Sequence, residues 1–185
     1  MGFQIESGEG NSDSAGVTTD FRLKTSAVTF TTEQEINHDN GQAYSYGVSV
    51  TPSGASQCFL YIKNNSDDDM MVSEFMLSAA SDETIIFKLA DEGTPLSGTT
   101  GTPVNRNAGS GNSAGVTALY GVNITGLSGG GSVMSVFIQG GESGLRIVPL
   151  STFIVPKNKT ITGYASSGSI AITVGMGISF HSIRH

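Results

Sequence analysis

The stretch Ser169-Ile-Ala-Ile-Thr-Val-Gly-Met-Gly-Ile-Ser-Phe-His181 decides the fold, because large apolar and small side chains alternate along it. Side chains on a β-strand point alternately to opposite faces of the sheet. The residues from Ile170 to Phe180 therefore place six apolar side chains on one face and small ones on the other. A helix would scatter these positions around its circumference, and glycine disfavours a helix interior. The stretch predicts a β-strand with one core face.

Two further expectations concern this strand. At about 3.3 Å per residue the unbroken stretch would span roughly 40 Å, which is longer than ordinary strands. Gly175 or Gly177 is therefore predicted to mark a bulge or bend. The face of small residues either packs closely against another layer or subunit or is exposed to water, and exposure is favoured.

Length and composition favour one β-rich domain. A chain of 185 residues is long enough for a single domain with a substantial core. The 25 glycines and the low charged fraction of 14% suit many short strands joined by turns. We expect a single domain over residues 21–185. It follows an extended arm over residues 1–20, which has few apolar residues besides Phe3, Ile5 and Val17.

Charge and hydropathy exclude several classes of partner. The formal net charge of −7 and the scattering of nine basic residues argue against nucleic-acid binding. No apolar run approaches the roughly 20 residues of a membrane helix, and the start of the chain lacks the pattern of a signal peptide. A soluble protein made in the cytoplasm is expected. The single cysteine, Cys58, lies in an apolar run and is predicted to be a buried hydrophobic residue.

Other strands follow the same period. Tyr44, Tyr46, Val48 and Val50 alternate with small residues, whereas residues 57–63 are apolar on both faces, as in a central strand beneath a second layer. About ten strands and no helix are expected over the whole chain. Such a pattern predicts an all-β antiparallel sandwich, with a jelly roll as the favoured form and a closed barrel as the alternative.

The composition of three connections indicates the kind of turn or loop that each forms. The segment 64–69, with three consecutive aspartates, predicts an Asx-type hairpin turn in preference to a calcium loop, whose alternating oxygen ligands and later Glu are missing. The glycine run 126–131 predicts a hairpin loop. Residues 91–117 carry almost no hydrophobic period and predict a long loop, and loops beyond about 15 residues are usually functional or mobile.

The sequence offers no constellation for catalysis, so no enzyme activity and no cofactor are expected. The spelling G-x-S-x-G occurs at residues 111–115, but the strand before it and the helix after it that a nucleophile elbow needs are not predicted. The three histidines lie at positions 38, 181 and 185, and two of these are at the end of the chain. A surface position is favoured for them over a metal site.

Several segments together resemble the small virion proteins of tailed bacteriophages. The resemblance covers roughly residues 43–165. It lies in the general character and the order of these segments more than in a diagnostic catalytic motif. It is carried by residues 58–66, by Phe87-Lys88-Leu89 with Gly93-Thr94-Pro95, by residues 102–107 with 109–112, and by Ile154-Val155-Pro156-Lys157-Asn158. Such proteins tend to be β-sandwiches that assemble on the head or tail, some as trimers over the capsid surface.

The resemblance implies a structural role at the virion. The expected function is that of a capsid decoration or cement protein, a homotrimer that binds the major capsid protein on the outside of the head and stabilises the shell. The expected contacts lie in the arm and in the long loop from Thr94 to Val116. They comprise Phe3, Ile5, Thr94, Pro95, Pro103, Val104, Asn105, Arg106, Asn107 and Val116.

A second class of function stays open. The chain could instead be a head-fibre or tail-associated module that binds a receptor or glycan. Sugar sites usually present aromatic side chains beside polar groups. The chain has no tryptophan, and its tyrosines are predicted to lie on strands. Such a platform is therefore not evident in the sequence.

Overall fold

The computed structural model describes Asn37, residues 40–140 and residues 146–181. The predicted arm over residues 1–20, with Phe3 and Ile5, and the first residues of the domain predicted from residue 21 lie outside this part of the chain. In the described part, no helix is long and apolar enough to cross a membrane. The strands there are β1 (Ala43–Val50), β2 (Gln57–Asn64), β3 (Asp69–Ala79), β4 (Glu83–Leu89), β5 (Glu92–Gly93), β6 (Thr99–Gly101), β7 (Val104–Asn105), β8 (Val116–Ile124), β9 (Leu127–Ser128), β10 (Gly131–Ile138), β11 (Arg146–Val155), β12 (Thr160–Ala165) and β13 (Ile172–His181).

β13 confirms the strand predicted from the most regular stretch of the sequence. Its alternate apolar residues, from Ile172 to Phe180, are at most 3% exposed. β13 lies between β1 and β3 and pairs antiparallel with both. The pairing with β3 shifts between Gly177 and Ile178, so the predicted irregularity is present at the second of the two glycines.

The strands form two principal antiparallel sheets with jelly-roll topology. One sheet has the order β11-β3-β13-β1-β7 and the other β10-β4-β12-β2-β8-β6. From β1 to β4 and from β10 to β13, successive strands alternate between the sheets, while β4 and β10 are neighbours in one sheet. This alternation generates the two Greek keys of a jelly roll. The predicted sandwich is confirmed, and the closed barrel is wrong because the strands divide into separate sheets.

The core lies between the inner faces of the two sheets. Tyr44 and Val174 of one sheet belong to the same buried cluster as Ile62 and Phe87 of the other. Phe75 of β3 stacks on Phe87 of β4, with ring centroids 4.0 Å apart and an interplanar angle of 19°. Aromatic pairs of this kind add about 0.5–1.5 kcal/mol beyond the burial of their area. The stack joins the two sheets.

β2 is covered on both faces, as its apolar sequence predicted. Phe59 and Ile62 belong to the core between the sheets. Cys58 and Tyr61 form a second buried cluster with Ile124, and Leu127 packs against it. Because Leu127 belongs to β9, which pairs with β5 in a separate two-stranded sheet, this short ribbon covers the second cluster. Cys58 is 2% exposed, which confirms its predicted burial.

The prediction of one long loop over residues 91–117 was wrong. This segment contains β5, β6 and β7 and the first residues of β8. We call residues 90–130, between β4 and β10, the insert. It runs from β4 to the opposite edge of the same sheet. There β8 pairs with β2, and β6 pairs with β8. In the other sheet, β7 of the insert pairs with β1. Strands of two or three residues are too short to produce a hydrophobic period, so the sequence pattern could not reveal them.

The segment 64–69 forms an Asx turn, but it does not join a hairpin. The Ser66 backbone N–H donates to Asn64 Oδ1 at 2.9 Å, and the Asp68 N–H to Ser66 Oγ at 3.1 Å. β2 and β3 on either side belong to different sheets, so the hairpin prediction was wrong. Asp67 pairs with Lys157. Among the residues described, no three or more His, Cys, Asp or Glu side chains are grouped as metal ligands.

The glycine run 126–131 is also not a hairpin loop. β8 and β10 on either side of it are separated in their sheet by β2, β12 and β4. Within the run, Leu127 and Ser128 pair instead with Gly93 and Glu92. Gly126 and Gly129 both have φ of +86°, a conformation that glycine adopts without steric cost. The run therefore carries the chain back across the sheet through β9, which pairs with β5.

Candidate functional site

The insert presents two strongly exposed apolar side chains on well-defined backbone. Leu96 is 78% exposed and Val104 is 68% exposed. The Leu96 N–H donates to the Thr125 carbonyl at 3.0 Å, and the neighbouring Ser97 hydroxyl donates to the Asn123 carbonyl at 2.7 Å. Val104 is paired with Ser45 at the edge of the first sheet. Both side chains are held outward on segments that hydrogen bonds fix to the sandwich.

The other residues predicted as contacts differ in exposure. Thr94 is exposed and Pro95 is half-buried, whereas Pro103 is buried. Val116 packs against the main core. Among the predicted contacts in the described residues, the structure therefore offers Thr94 and Val104 as exposed side chains. Leu96 lies in the predicted segment but was not singled out from the sequence.

The asparagines of the insert form hydrogen bonds within the molecule. The side-chain amide of Asn105 donates to the Gly41 carbonyl at 2.7 Å, and that of Asn107 to the Asn37 carbonyl at 3.1 Å. Asn112 donates in the same way to the Asn40 carbonyl at 2.8 Å. These bonds tie the end of β7 and the segment after it to the residues that precede β1. The side-chain amides of Asn105 and Asn107 therefore have internal partners.

Arg106 lies across the outer face of the first sheet. Its Nε donates to Ser45 Oγ at 2.8 Å and its Nη2 to Glu74 Oε1 at 2.9 Å. A Cβ at Gly177 would lie 2.6 Å from Arg106 Nη2. The missing side chain at Gly177 therefore gives the guanidinium room to cross β13. Part of the small face of β13 is thus covered by this side chain, while Thr173 on the same face is exposed.

A cleft opens on the side of the sandwich where the insert connects the two sheets. It is bounded by residues 46–49 of β1, by residues 100–102 of the insert and by Tyr120 of β8, and it encloses about 360 Å³. We call it the side cleft. This volume falls within the ~300–1,000 Å³ range of small-molecule sites. The side cleft brings together two aromatic rings, three hydroxyl side chains and exposed backbone.

Tyr46 of the side cleft carries a hydroxyl without a hydrogen-bond partner. The side chain is 5% exposed, and its oxygen is buried. Burial, with a smaller contribution from the nearby Tyr120 phenol, raises the pKa of Tyr46 to about 12. The hydroxyl therefore keeps its proton at neutral pH. Buried polar groups are normally hydrogen-bonded, so an unpartnered one beside a cleft indicates a ligand or water position.

The edge of β1 in the side cleft also carries free backbone groups. The Arg106 N–H donates to the Ala43 carbonyl at 2.8 Å, so alternate β1 residues from Ala43 onward direct their N–H and C=O groups to this edge. The pairing with β7 ends at Ser45. Gly47 and Ser49 are the next residues of β1 whose N–H and C=O groups point to this edge. Within the described residues, no strand pairs with them on this side.

The juxtaposition of Tyr46 and Tyr120 could not be found from the sequence. Tyr46 looked like an ordinary core residue of β1, and Tyr120 like one of β8. They face each other because the insert crosses the sheet and returns β8 to the edge beside β2. Nothing in the spacing of the two tyrosines signals this approach.

Comparison with known proteins finds no similar protein family, no similar curated protein and no similar solved structure. The fold therefore defines the class to which this chain belongs, that of antiparallel jelly-roll sandwiches. Since one fold hosts many unrelated functions, function is argued from the exposed insert and the side cleft.

Proposed function

We propose that the chain is a non-enzymatic virion protein that binds the major capsid protein on the outer surface of a tailed-phage head. In this role it is a decoration or cement protein that acts as a homotrimer and needs no cofactor. The resemblance of residues 43–165 to small phage virion proteins supports the proposal. The structural observation that carries it is the pair Leu96 and Val104, the two most exposed of the large apolar side chains described.

The physical argument concerns apolar side chains held outward on fixed backbone. Exposed Leu96 and Val104 contribute little to folding, because apolar side chains stabilise a protein by leaving water. Their burial against a partner would be favourable, at roughly 25 cal/mol per Å² of apolar area. The hydrogen bonds that fix both segments lower the ordering cost on binding. The pair therefore suits a surface that binds another protein.

Weak contacts suffice when they are repeated. A trimer presents three copies of each contact to a lattice of identical subunits, and the later contacts form at a high effective concentration. Two apolar anchors per subunit can therefore support stable attachment without a large interface in each subunit.

The test is co-sedimentation of the purified chain with phage heads that lack it. We expect saturable binding in a fixed ratio to the major capsid protein, and light scattering should give three times the mass of one chain. Replacing both anchors, Leu96→Ser with Val104→Ser, should weaken binding about tenfold or more, since each buried anchor is expected to contribute 1 kcal/mol or more. Deleting residues 1–20 tests the predicted contribution of Phe3 and Ile5.

The matched control is a pair of apolar side chains elsewhere. Val133 of β10 is 42% exposed and Ile154 of β11 is 49% exposed. The double change Val133→Ser with Ile154→Ser removes the same kind of exposed aliphatic side chain, although a smaller exposed area, and should leave head binding intact. Absence of saturable binding to heads would contradict the proposal. Equal losses in the two double variants would contradict the role of the insert.

A receptor- or glycan-binding module on a head fibre or tail is the second candidate function. The observation that favours it is the side cleft, where two tyrosines lie beside hydroxyl groups. Recovery of the chain with tails or host cells, and not with heads, would favour this second candidate.

A further inference from the structure

We propose that the side cleft binds a neutral saccharide unit through the Tyr46 hydroxyl and the backbone edge at Gly47 and Ser49. The inference rests on the second candidate function and names the ligand class and the residues of that site. Leu96 and Val104 are not among the residues that line the side cleft, so the inference rests on other side chains than the proposed capsid contacts.

The unpartnered hydroxyl of Tyr46 is the first supporting observation. A buried polar group without a partner destabilises the folded protein by roughly 1–3 kcal/mol. The group lies against Gly101, where an added Cβ would fall 2.0 Å from the hydroxyl oxygen. Gly101 belongs to the three-residue edge strand β6. The proposed contact requires this short segment to move outward, so that a ligand hydroxyl can reach Tyr46 and supply the missing partner.

The backbone edge of β1 is the second supporting observation. Gly47 and Ser49 direct donors and acceptors into the side cleft beyond the end of β7. Vicinal hydroxyl groups of a sugar can donate to the carbonyls and accept from the N–H groups. An extended peptide would need a longer ladder, because two residues of free edge give few hydrogen bonds. The short edge therefore favours a compact ligand with many hydroxyl groups.

The residues that line the side cleft favour an uncharged ligand. No Asp, Glu, Lys, Arg or His is among the residues that line the side cleft. A charged ligand would lose hydration there without gaining an opposite charge. Ser49, Thr100 and Thr102 add hydroxyl groups, and Tyr120 adds a half-buried ring. Aromatic rings can pack on the apolar face of a sugar while hydroxyl groups bond its rim.

The experiment is a titration of the full chain with glucose, galactose, mannose and N-acetylglucosamine, followed by amide NMR, with sialic acid as the charged comparison. We expect saturable shifts at Gly47 and Gly101 for at least one neutral sugar, and none for sialic acid. Tyr46→Phe removes only the hydroxyl and should weaken binding at least tenfold. Tyr44→Phe makes the same change two residues earlier on β1, outside the side cleft, and should leave binding unchanged.

The stability of the variants separates binding from folding. Because the Tyr46 hydroxyl has no partner, Tyr46→Phe should unfold at the same or a higher urea concentration than the wild type. Sugar binding that survives Tyr46→Phe would overturn the inference while leaving the second candidate standing. No shift with any sugar would overturn the inference. If the chain also failed to bind host cells or a glycan array, the second candidate would fail as well.

Discussion

Glu83 is a buried carboxylate whose hydrogen bonds fix the loop between β12 and β13. It is 1% exposed. Its oxygens accept from the backbone N–H groups of Thr84 at 2.8 Å, Ser167 at 3.0 Å and Gly168 at 3.1 Å, and from the Ser166 hydroxyl at 2.9 Å. Burial acts to raise the pKa of Glu83, but these bonds outweigh it, and the net shift is downward from 4.5.

Glu83→Gln should therefore destabilise the protein by about 1–3 kcal/mol at pH 7. Because the pKa of Glu83 is lower in the folded state, its stabilising contribution is present above the ordinary value of 4.5 and is lost as pH falls through the folded pKa. The difference between wild type and Glu83→Gln should shrink in acid. Urea unfolding at pH 7 and at roughly pH 3 measures it.

The exposed Glu92 provides the control. Glu92→Gln removes the same charge and should change the free energy of unfolding by less than about 0.5 kcal/mol. A wild-type advantage over Glu83→Gln that stayed constant down to acid pH would contradict the assigned role of the ionised carboxylate.

Asp91 shows the limit of sequence analysis at the residue scale. Its Oδ1 accepts from the Gly130 N–H at 2.7 Å, and its Oδ2 from the hydroxyls of Thr162 and Tyr164. The sequence placed Asp91 only at the start of the predicted long loop 91–117. Its partners lie 39 to 73 positions away, and no local pattern encodes contacts of that separation. Like the approach of Tyr46 to Tyr120, they follow from the path of the insert.

At the scale of elements, Arg106 and β13 form a contact between the insert and the first sheet. A Cβ at Gly177 would approach Arg106 Nη2 to 2.6 Å and Ser73 Oγ to 2.7 Å. Gly177→Ala should therefore displace the guanidinium from Glu74 and destabilise the protein by at most about 1 kcal/mol, because this ion pair is partly exposed. In an Arg106→Ala background the same change should cost less, with a coupling energy of at least roughly 0.5 kcal/mol. Urea unfolding of the four proteins measures this coupling.

Gly47 is the matched control for Gly177. It lies on the neighbouring strand β1, where an added Cβ would approach only the Val174 carbonyl, at 3.9 Å. Gly47→Ala should be neutral or stabilising, because glycine in a strand costs roughly 0.5–1 kcal/mol relative to alanine. Strictly additive effects of Gly177→Ala and Arg106→Ala would show that the guanidinium does not occupy the space above Gly177.

Strands with a clear period were predictable and short paired segments were not. β13 follows from its alternation and β2 from its two apolar faces, because burial selects side chains residue by residue. β5, β6, β7 and β9 are two or three residues long. They are positioned by pairing with longer strands, and their own sequence carries little of that information. The exposed Leu96 and Val104 lay within the predicted contact segment, whereas the side cleft required the fold.

At the scale of the whole molecule, the insert protects one side of the sandwich. Without it, β1 and β2 would be edge strands with open hydrogen-bonding groups, which invite association with other chains. β8 covers the edge of β2 and β7 covers part of that of β1. The uncovered remainder of β1 is the edge that faces the side cleft. Protection of the sandwich and formation of the cleft are therefore two results of the same path of the chain.

This arrangement predicts an uneven distribution of stability. β2 and β13 are paired on both sides and bury their apolar side chains, so their amides should exchange only through global unfolding. The segment 99–105 contains the edge strands β6 and β7 and should exchange through local opening. In hydrogen exchange followed by mass spectrometry, peptides covering 99–105 should exchange at least about 100-fold faster than those covering 57–64 and 172–181.

The response to urea decides between local and global opening. Global unfolding exposes a large surface and accelerates steeply with urea, whereas local opening exposes little and responds weakly. We therefore expect added urea to accelerate exchange in 57–64 and 172–181 and to leave 99–105 nearly unchanged. Equal rates and equal urea dependence in all three segments would show that the insert opens only with the core. Gly101 could then not move aside on its own, and Tyr46 would be closed to a ligand.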